Sequence, residues 1–454
     1  MPQAIHFISI GGSAMHNLAR SLQQQGYVIT GSDDEINEPS RTRLQAQGLL
    51  PVSPGWFPEK IHAELDGVIV GMHAKSDNPE LVRAQELGLP IYSYPEFVDQ
   101  LSRNKQRIVI AGSHGKTTIT AMILHALTHY QRNADYVIGA VINGFDSTVR
   151  LTNDKDETAA PIIILEADEF PSSPIDTRPK FLQYQPHIAL ISGISWDHVA
   201  YYPTWETYVD PFESLAEAMP KAGILIFDES DDMLDVIGQK EREDITKIPY
   251  QAHPSEVING QTYLITRQKQ KVPVQIFGEH NMKNIAGAMI VCDRIGITED
   301  QFYEAIPSFG GVSNRLEKIA GTTDKRIVFR DIAHAPAQVE AATQAVKAQY
   351  PAQKLFAVLE LSASDVANSD FLEEYKDSLK AADAVTIYAN ATSDSFNPEH
   401  MAATFGRSDL RVFTDTSALQ AYLLEQREKA DSFLFMSSAT FGGLDLAAVG
   451  RQLV

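Results

Sequence analysis

The sequence predicts an α/β protein built of several open sheets, and two features carry that prediction. Short apolar runs rich in Val and Ile alternate with segments of helical length. The runs are Ile5–Ile10, Val68–Val70, Ile108–Ala111, Ile162–Leu165, Ile188–Ile191, Ile224–Phe227, Ile327–Phe329, Leu355–Leu359, Ala384–Ile387 and Phe433–Met436. They have the character of strands buried on both faces of a parallel sheet. In addition, the chain has 454 residues, enough for three domains at roughly 150 residues each.

Two breaks divide the chain. Polar Ser102-Arg103-Asn104-Lys105-Gln106 separates a helix from a new strand, and Gly, Ser, Asn and Thr cluster from Gly310-Gly311 to Lys325. The expected units are 1–105, 106–320 and 321–454. Asn143 to Pro161 is polar and reads as a loop or peripheral hairpin. No repeat or low-complexity tract points to a solenoid or propeller.

Composition narrows the class. Apolar residues make up 44% and charged residues 21%, which excludes a collagen-like or broadly disordered chain. No run approaches the ~20 apolar residues of a membrane helix. The strand-like start at Ala4 has no basic region and long apolar core around it, so a cytoplasmic location is expected. Acidic residues outnumber basic ones 59 to 38, a formal net charge of −21. That field argues against nucleic acid and anionic membrane as partners but leaves room for a nucleotide held by a few N–H groups and local cations. The single cysteine, Cys292, rules out an intramolecular disulfide and reads as a core residue.

The strongest local signal is Gly112-Ser113-His114-Gly115-Lys116-Thr117-Thr118, between the strand Arg107–Ala111 and the helical run Ile119–His129. Strand, glycine loop, Lys-Thr and helix form the context of a P-loop, although this loop is two residues shorter than the common pattern. Glycines let N–H groups close around phosphate at a helix N-terminus. Lys116 would neutralise the β- and γ-phosphates, and the Thr117 hydroxyl would meet Mg²⁺. The strand Ile162–Leu165 ends in Glu166-Ala167-Asp168-Glu169, three acids whose mutual repulsion a nearby cation would relieve. The strand His187–Ile191 leads to Asp197-His198 at the ligand-binding edge of an open sheet. His198 reads either as a neutral metal ligand supported by Asp197 or as a structural histidine.

In this order, these motifs resemble those of the Mur ligases, ATP-dependent enzymes of peptidoglycan precursor synthesis. The resemblance extends to Gly278-Glu279-His280-Asn281-Met282-Lys283-Asn284, Arg315-Leu316-Glu317 and Asp331-Ile332-Ala333-His334-Ala335-Pro336. At the N-terminus, Ser9-Ile10-Gly11-Gly12-Ser13-Ala14-Met15 is similar to the glycine turn that holds UDP in ligases acting on UDP-N-acetylmuramate, with Ser9 in place of the first glycine. Gly31-Ser32-Asp33 and Gly71-Met72-His73, with Asp77-Asn78-Pro79-Glu80, fit the same branch. Asp176-Thr177-Arg178-Pro179-Lys180-Phe181 with Tyr184, and the closing Met436 to Asp445 segment, resemble the murein-peptide ligases. Those enzymes attach L-alanyl-γ-D-glutamyl-meso-diaminopimelate in recycling.

The resemblance implies a Rossmann-like UDP-binding domain, a central P-loop ATPase domain and a C-terminal Rossmann-like domain. It implies ATP and one or two Mg²⁺ ions, with UDP-N-acetylmuramate and an amino-acid or peptide amine as substrates, in a monomer or homodimer. Lys116, Glu166, His198 and Arg315 would be catalytic, and Thr117, Glu166 and His198 would hold metal. ATP would meet Gly112 to Thr118, Asn281, Asn284, Arg315, Asp331 and His334. UDP would meet Gly11, Gly12, Ser13, Ala14, Met15, Ser32, Asp33, His73 and Asn78. Departures are Asn314 and Ala335, where relatives carry Arg and His, and Glu360-Leu361-Ser362-Ala363-Ser364, where the amine substrate is expected. Phe212 lies in the region where some relatives carbamylate a lysine, so carbamylation is not expected. L-alanine as the amine, or a non-catalytic binding protein on the same scaffold, are the alternatives.

Overall fold

The computed structural model describes residues 3–142, 144–153, 157–199, 201–322, 326–389 and 398–454, without the side chains of residues 364 and 398–400. Asn143, Lys325 and residues 154–156, which fall within the expected loop and the second break, lie outside the described residues.

The N-terminal unit is an all-parallel sheet of β1 (Ala4–Ile8), β2 (Val28–Ser32), β3 (Gly67–Val70) and β4 (Ile91–Ser93), in the order β2-β1-β3-β4. Helices α1 (Ser13–Gln24), α2 (Ser40–Ala46), α3 (Pro79–Glu86) and α4 (Tyr94–Ser102) complete it. The expected first strand runs to Ile10, but β1 stops at Ile8 because Ser9 turns to φ 67°. The buried His6 imidazole bridges the Thr30 hydroxyl at 2.8 Å and Glu80 at 3.2 Å, giving a polar side chain inside this sheet its partners.

The central sheet runs in the order β13-β12-β11-β5-β8-β6-β7. Its strands are β5 (Gln106–Ala111), β6 (Asp135–Val137), β7 (Val149–Arg150), β8 (Ile162–Glu166), β11 (Ile188–Ile191), β12 (Ile224–Asp228) and β13 (Thr246–Tyr250). Among the described residues of this sheet only β7 pairs antiparallel, as the edge partner of β6 within the expected loop-or-hairpin segment. β9 (Pro171–Ser173) and β10 (Asp176–Pro179) form a separate hairpin. Helices α5 (Lys116–His129), α6 (Trp205–Ala218), α7 (Asp232–Gln239), α8 (Glu279–Arg294) and α9 (Glu299–Ala305) flank this unit. A small antiparallel sheet, β14 (Ser255–Ile258), β15 (Gln261–Ile265) and β16 (Lys271–Val274), leads into α8. Cys292 is buried in α8, where desolvation pushes its thiol pKa upward, as a core residue requires.

The C-terminal sheet has the order β17-β18-β22-β19-β20-β21. Its strands are β17 (Glu317–Gly321), β18 (Ile327–Asp331), β19 (Leu355–Leu361), β20 (Ala384–Ala389), β21 (Arg411–Phe413) and β22 (Ser432–Met436). β17 pairs antiparallel with β18, so the third sheet begins at Glu317, ahead of the boundary expected at 321. The reason is that β17 is a half-exposed edge strand with little apolar patterning. Helix α10 (Pro336–Gln349) follows β18. Trp196 of the central unit packs against Phe371 with ring centroids 5.9 Å apart, so the third unit is seated on the second.

Candidate active site

The site lies where the carboxyl ends of β5, β8 and β11 meet the start of α8 and the end of β18, the ligand-binding position of open α/β sheets. One cleft is lined by Ser113 to Thr118, Asp197, His198, His280, Asn281, Asn284, Arg315, Asp331 and His334, together with the first turns of α10. Side chains spread over more than 200 positions of sequence therefore face one space.

The loop after β5 closes through two glycines at positive φ, Gly112 at 125° and Gly115 at 78°. A Cβ at Gly112 would meet Ser192 N at 2.8 Å, so glycine is required there by space as well as by conformation. Gly115 is the residue ahead of α5, whose first N–H groups open into the cleft. Ser113, at the cleft wall, is tied into the loop: its N–H donates to Gly193 O at 2.9 Å and its hydroxyl takes the N–H of Ser195 at 2.9 Å. Its contribution is to loop shape. Lys116 bends back and donates to Gly112 O. Burial pulls the lysine pKa down, but Glu169, Asp168, Glu166 and Asp197 outweigh it and the net direction is up. The ammonium is held charged.

The acids expected to share one cation take different partners. Glu166 accepts from the Thr117 hydroxyl at 2.6 Å and from Gly139 N at 2.9 Å. Burial raises its pKa, opposed by those two bonds and by Lys116 and Arg315. Asp168 pairs with Lys180 at 3.0 Å, and Glu169 faces Lys116 at 3.7 Å. Among the described residues no group of three or more His, Cys, Asp or Glu is arranged to hold a metal. The Thr117–Glu166 pair nevertheless fits Mg²⁺, a hard ion that takes one or two protein oxygens and completes its shell with phosphate and water. His198 sits at φ 56° with its ring 4.3 Å from that of Phe170, Nε2 3.4 Å from Glu169 and Nδ1 3.6 Å from Asp197.

Asp197 also reaches the third unit, where His334 Nε2 and Gln338 Nε2 lie 3.7 and 3.5 Å from its Oδ2. His334 Nδ1 is 2.9 Å from Ile332 O, which places the proton on Nδ1. Asp331 takes the N–H groups of Leu316 and Ala333, both at 2.7 Å. The Arg315 backbone is framed by two left-handed residues, Asn314 at φ 58° and Leu316 at φ 41°. Asparagine tolerates that conformation, which gives the Asn314 departure a physical reason. Ala335, the other departure, is fully buried in the third core ahead of Pro336. Asn281 and Asn284 line the cleft, but the Asn281 amide donates to Phe277 O at 2.8 Å and that of Asn284 to Asn281 Oδ1 at 3.3 Å. Their amide hydrogens are thus partly committed to the start of α8. Sequence reasoning did not assign His280, Gln338 or Glu169 to the site; Glu169 lay in plain view inside the acidic motif.

The N-terminal turn forms a second candidate region. Gly11 N donates to Asp33 Oδ2 at 2.7 Å, and a Cβ on Gly11 would meet that oxygen at 2.8 Å. Ser13 and Ala14 are exposed at the start of α1, and Met15 is buried. Gly71 packs on Ser9, so the loop after β3 adjoins the turn. Ser32 is buried with its hydroxyl 3.3 Å from Lys60 Nζ, and His73 is exposed. Asn78 is committed to capping α3, where Oδ1 accepts from Glu80 N and Leu81 N.

The fold and cleft together define an ATP-dependent ligase of the Mur type, and comparison with known proteins agrees. The Mur ligase family catalytic domain matches residues 4–106, the Mur ligase middle domain 110–292, and the Mur ligase glutamate ligase domain 314–439. The UDP-N-acetylmuramate–L-alanine ligase of Carboxydothermus hydrogenoformans is 30% identical over 76% of this chain and 73% of its own. The UDP-N-acetylmuramate–L-alanyl-γ-D-glutamyl-meso-2,6-diaminoheptandioate ligase of Haemophilus influenzae is 25% identical over 97% of both chains. A murein peptide ligase from Psychrobacter arcticus superimposes with a TM-score of 0.65 at 22% identity over 99% of both chains. The chain belongs to the Mur ligase family. It is an ATP-dependent ligase of peptidoglycan biosynthesis that forms carbon–nitrogen bonds. No helix among the described residues is long and apolar enough to cross a membrane.

Proposed function

We propose that the chain joins the lactyl carboxylate of UDP-N-acetylmuramate to the free amine of L-alanyl-γ-D-glutamyl-meso-diaminopimelate in the cytoplasm, as a step of peptidoglycan recycling. The acceptor reading is carried by the Asp176–Tyr184 segment. It begins as β10, the second strand of the β9–β10 hairpin, in which Arg178 pairs with Asp176 at 2.6 Å, and just beyond that strand Lys180 reaches Asp168 of the acidic motif at 3.0 Å. A tripeptide needs more recognition surface than alanine, and a polar hairpin tied through Lys180 to the acidic motif offers it.

A carboxylate is a poor electrophile because its oxygen cannot leave. Transfer of the γ-phosphoryl group of ATP makes an acyl phosphate; the amine then attacks the carbonyl carbon and inorganic phosphate departs. Such transfer depends on positioning and charge neutralisation. Lys116 and Arg315 supply fixed positive charge, and the N–H groups at the start of α5 cradle the phosphates. Asp331 meets the ribose, and Asn281 and Asn284 face the base. Thr117 and Glu166 would hold one Mg²⁺ and His198 a second. When bound, these ions neutralise charge on the phosphates. The turn Gly11 to Met15, with Ser32 and Asp33, receives the UDP moiety.

A second reading takes L-alanine as the amine, because relatives named as L-alanine ligases reach 30% identity. ADP release measured with UDP-N-acetylmuramate, ATP and either amine separates the two. The tripeptide is expected to support release and free alanine is not; release with alanine alone would overturn the acceptor assignment.

A further inference from the structure

Glu169 has no part in the mechanism above, yet its surroundings give it one. Its side chain is fully buried. Oε1 accepts from the Tyr208 hydroxyl at 2.9 Å and lies 3.4 Å from His198 Nε2. Oε2 is buried with no hydrogen-bond partner and lies 3.7 Å from Lys116 Nζ. The Tyr208 hydroxyl is also 2.8 Å from Ser113 Oγ, which takes the Ser195 N–H at 2.9 Å. With each group donating once, the chain runs from Ser195 N–H through Ser113 and Tyr208 to the carboxylate. The phosphate loop and the loop after β11 thereby fix where Glu169 points.

A buried carboxylate is stable only when paired, and an unfilled oxygen in such a place is costly. The two groups placed to neutralise Glu169 are Lys116, read here as the phosphate-binding ammonium, and His198, read here as a metal ligand. We propose that Glu169 is a positioning residue: one carboxylate sets Lys116 toward the triphosphate and His198 toward the divalent ion, coupling the affinities of the two ligands. When the ammonium turns to phosphate, Glu169 loses part of its neutralisation, and a cation held by His198 restores it. By linkage, each ligand then favours the other. This inference rests on the roles given above to Lys116 and His198.

The test uses Mn²⁺ as the probe ion, followed by the spin-resonance signal of free Mn²⁺, with and without a non-hydrolysable ATP analogue. Glu169→Gln preserves size and can still accept from Tyr208 while removing the charge. It is expected to reduce the factor by which the analogue tightens Mn²⁺ binding by about 10–100-fold, with a comparable fall in kcat. KM for the nucleotide sugar is expected to stay within about twofold, and Glu169→Asp to recover part of the coupling. Unchanged Mn²⁺ coupling in Glu169→Gln overturns the proposal whatever happens to kcat. If that variant does not fold, Tyr208→Phe is read the same way: weaker coupling supports the proposal and unchanged coupling overturns it. Full ligation by Lys116→Ala would instead bring down the phosphate assignment beneath it.

Discussion

The Thr117 hydroxyl donates to Glu166 Oε1 at 2.6 Å, joining the first turn of the helix after the glycine loop to the end of the neighbouring strand. The two residues are 49 positions apart, and their meeting depends on β5 and β8 being adjacent, with Ile110 opposite Glu166 in the ladder. Glu166 is also anchored by Gly139 N, so it cannot swing far. Glu166→Gln keeps the shape and loses the charge. It is expected to slow ligation by about 10²–10³-fold and to raise the Mg²⁺ concentration needed for half-maximal rate. ADP release titrated with Mg²⁺ measures both; an unaltered Mg²⁺ requirement would remove Glu166 from the metal site.

Lys116 is the most direct test of the cleft. Its ammonium is kept charged by four surrounding carboxylates against the pull of burial. Lys116→Ala is expected to lose at least about 10²–10³-fold in ligation rate and, because it leaves the buried Glu169 without its ammonium, to lower the melting temperature while the chain still folds. ADP release and a melting curve on the same sample decide it. A variant that ligates normally would show that phosphate is held elsewhere.

The N-terminal turn carries a strain that the sequence pattern already hinted at. Ser9 stands where similar ligases have glycine, and it adopts φ 67°. A left-handed L-residue costs roughly 1–2 kcal/mol, of which glycine's extra unfolded-state freedom returns about half. Ser9→Gly is therefore expected to stabilise the chain by about 0.5–1 kcal/mol. Urea denaturation checks it, and a loss of stability would mean that the serine side chain contributes more than its backbone costs.

What could be read in the sequence follows contiguity. The glycine loop between β5 and α5 was legible because a strand, two glycines and Lys-Thr follow one another directly in the chain. The ten apolar runs all fall on strands with at least one parallel neighbour, since burial on both faces leaves an unmistakable composition. β17 was missed because an edge strand with partly exposed side chains lacks that signature. The contact from Glu169 to Tyr208 spans 39 positions, and that from Gln338 to Asp197 spans 141; nothing local announces either. Asn78 and Asn281 show the other side of this: their motifs are contiguous, yet nothing in them announces that both side chains also serve helix starts.

Asp33 offers a pH-dependent prediction. Burial is the largest influence on its carboxyl and raises it; the Gly11 N–H opposes and neighbouring Asp34 adds to the rise, so the pKa is pushed from 3.8 up to about 6. Between those values the folded chain holds a proton that the unfolded chain has released, so stability falls as pH rises through that window and stays lower above it. At about 1.4 kcal/mol per unit, trimmed for solvent screening near the surface, the penalty at neutral pH is about 1–2 kcal/mol. Asp33→Asn retains an oxygen for the Gly11 N–H and removes the titration. It is expected to be about 1–2 kcal/mol more stable than the parent at pH 7 and equal to it near pH 4. It is also expected to bind UDP-N-acetylmuramate more weakly, because a neutral amide is a poorer acceptor for ribose hydroxyls than a carboxylate. Urea denaturation of both chains across this pH range measures the first effect and calorimetric titration the second. Parallel stability profiles for the two chains would show that the Asp33 carboxyl is not the group that titrates.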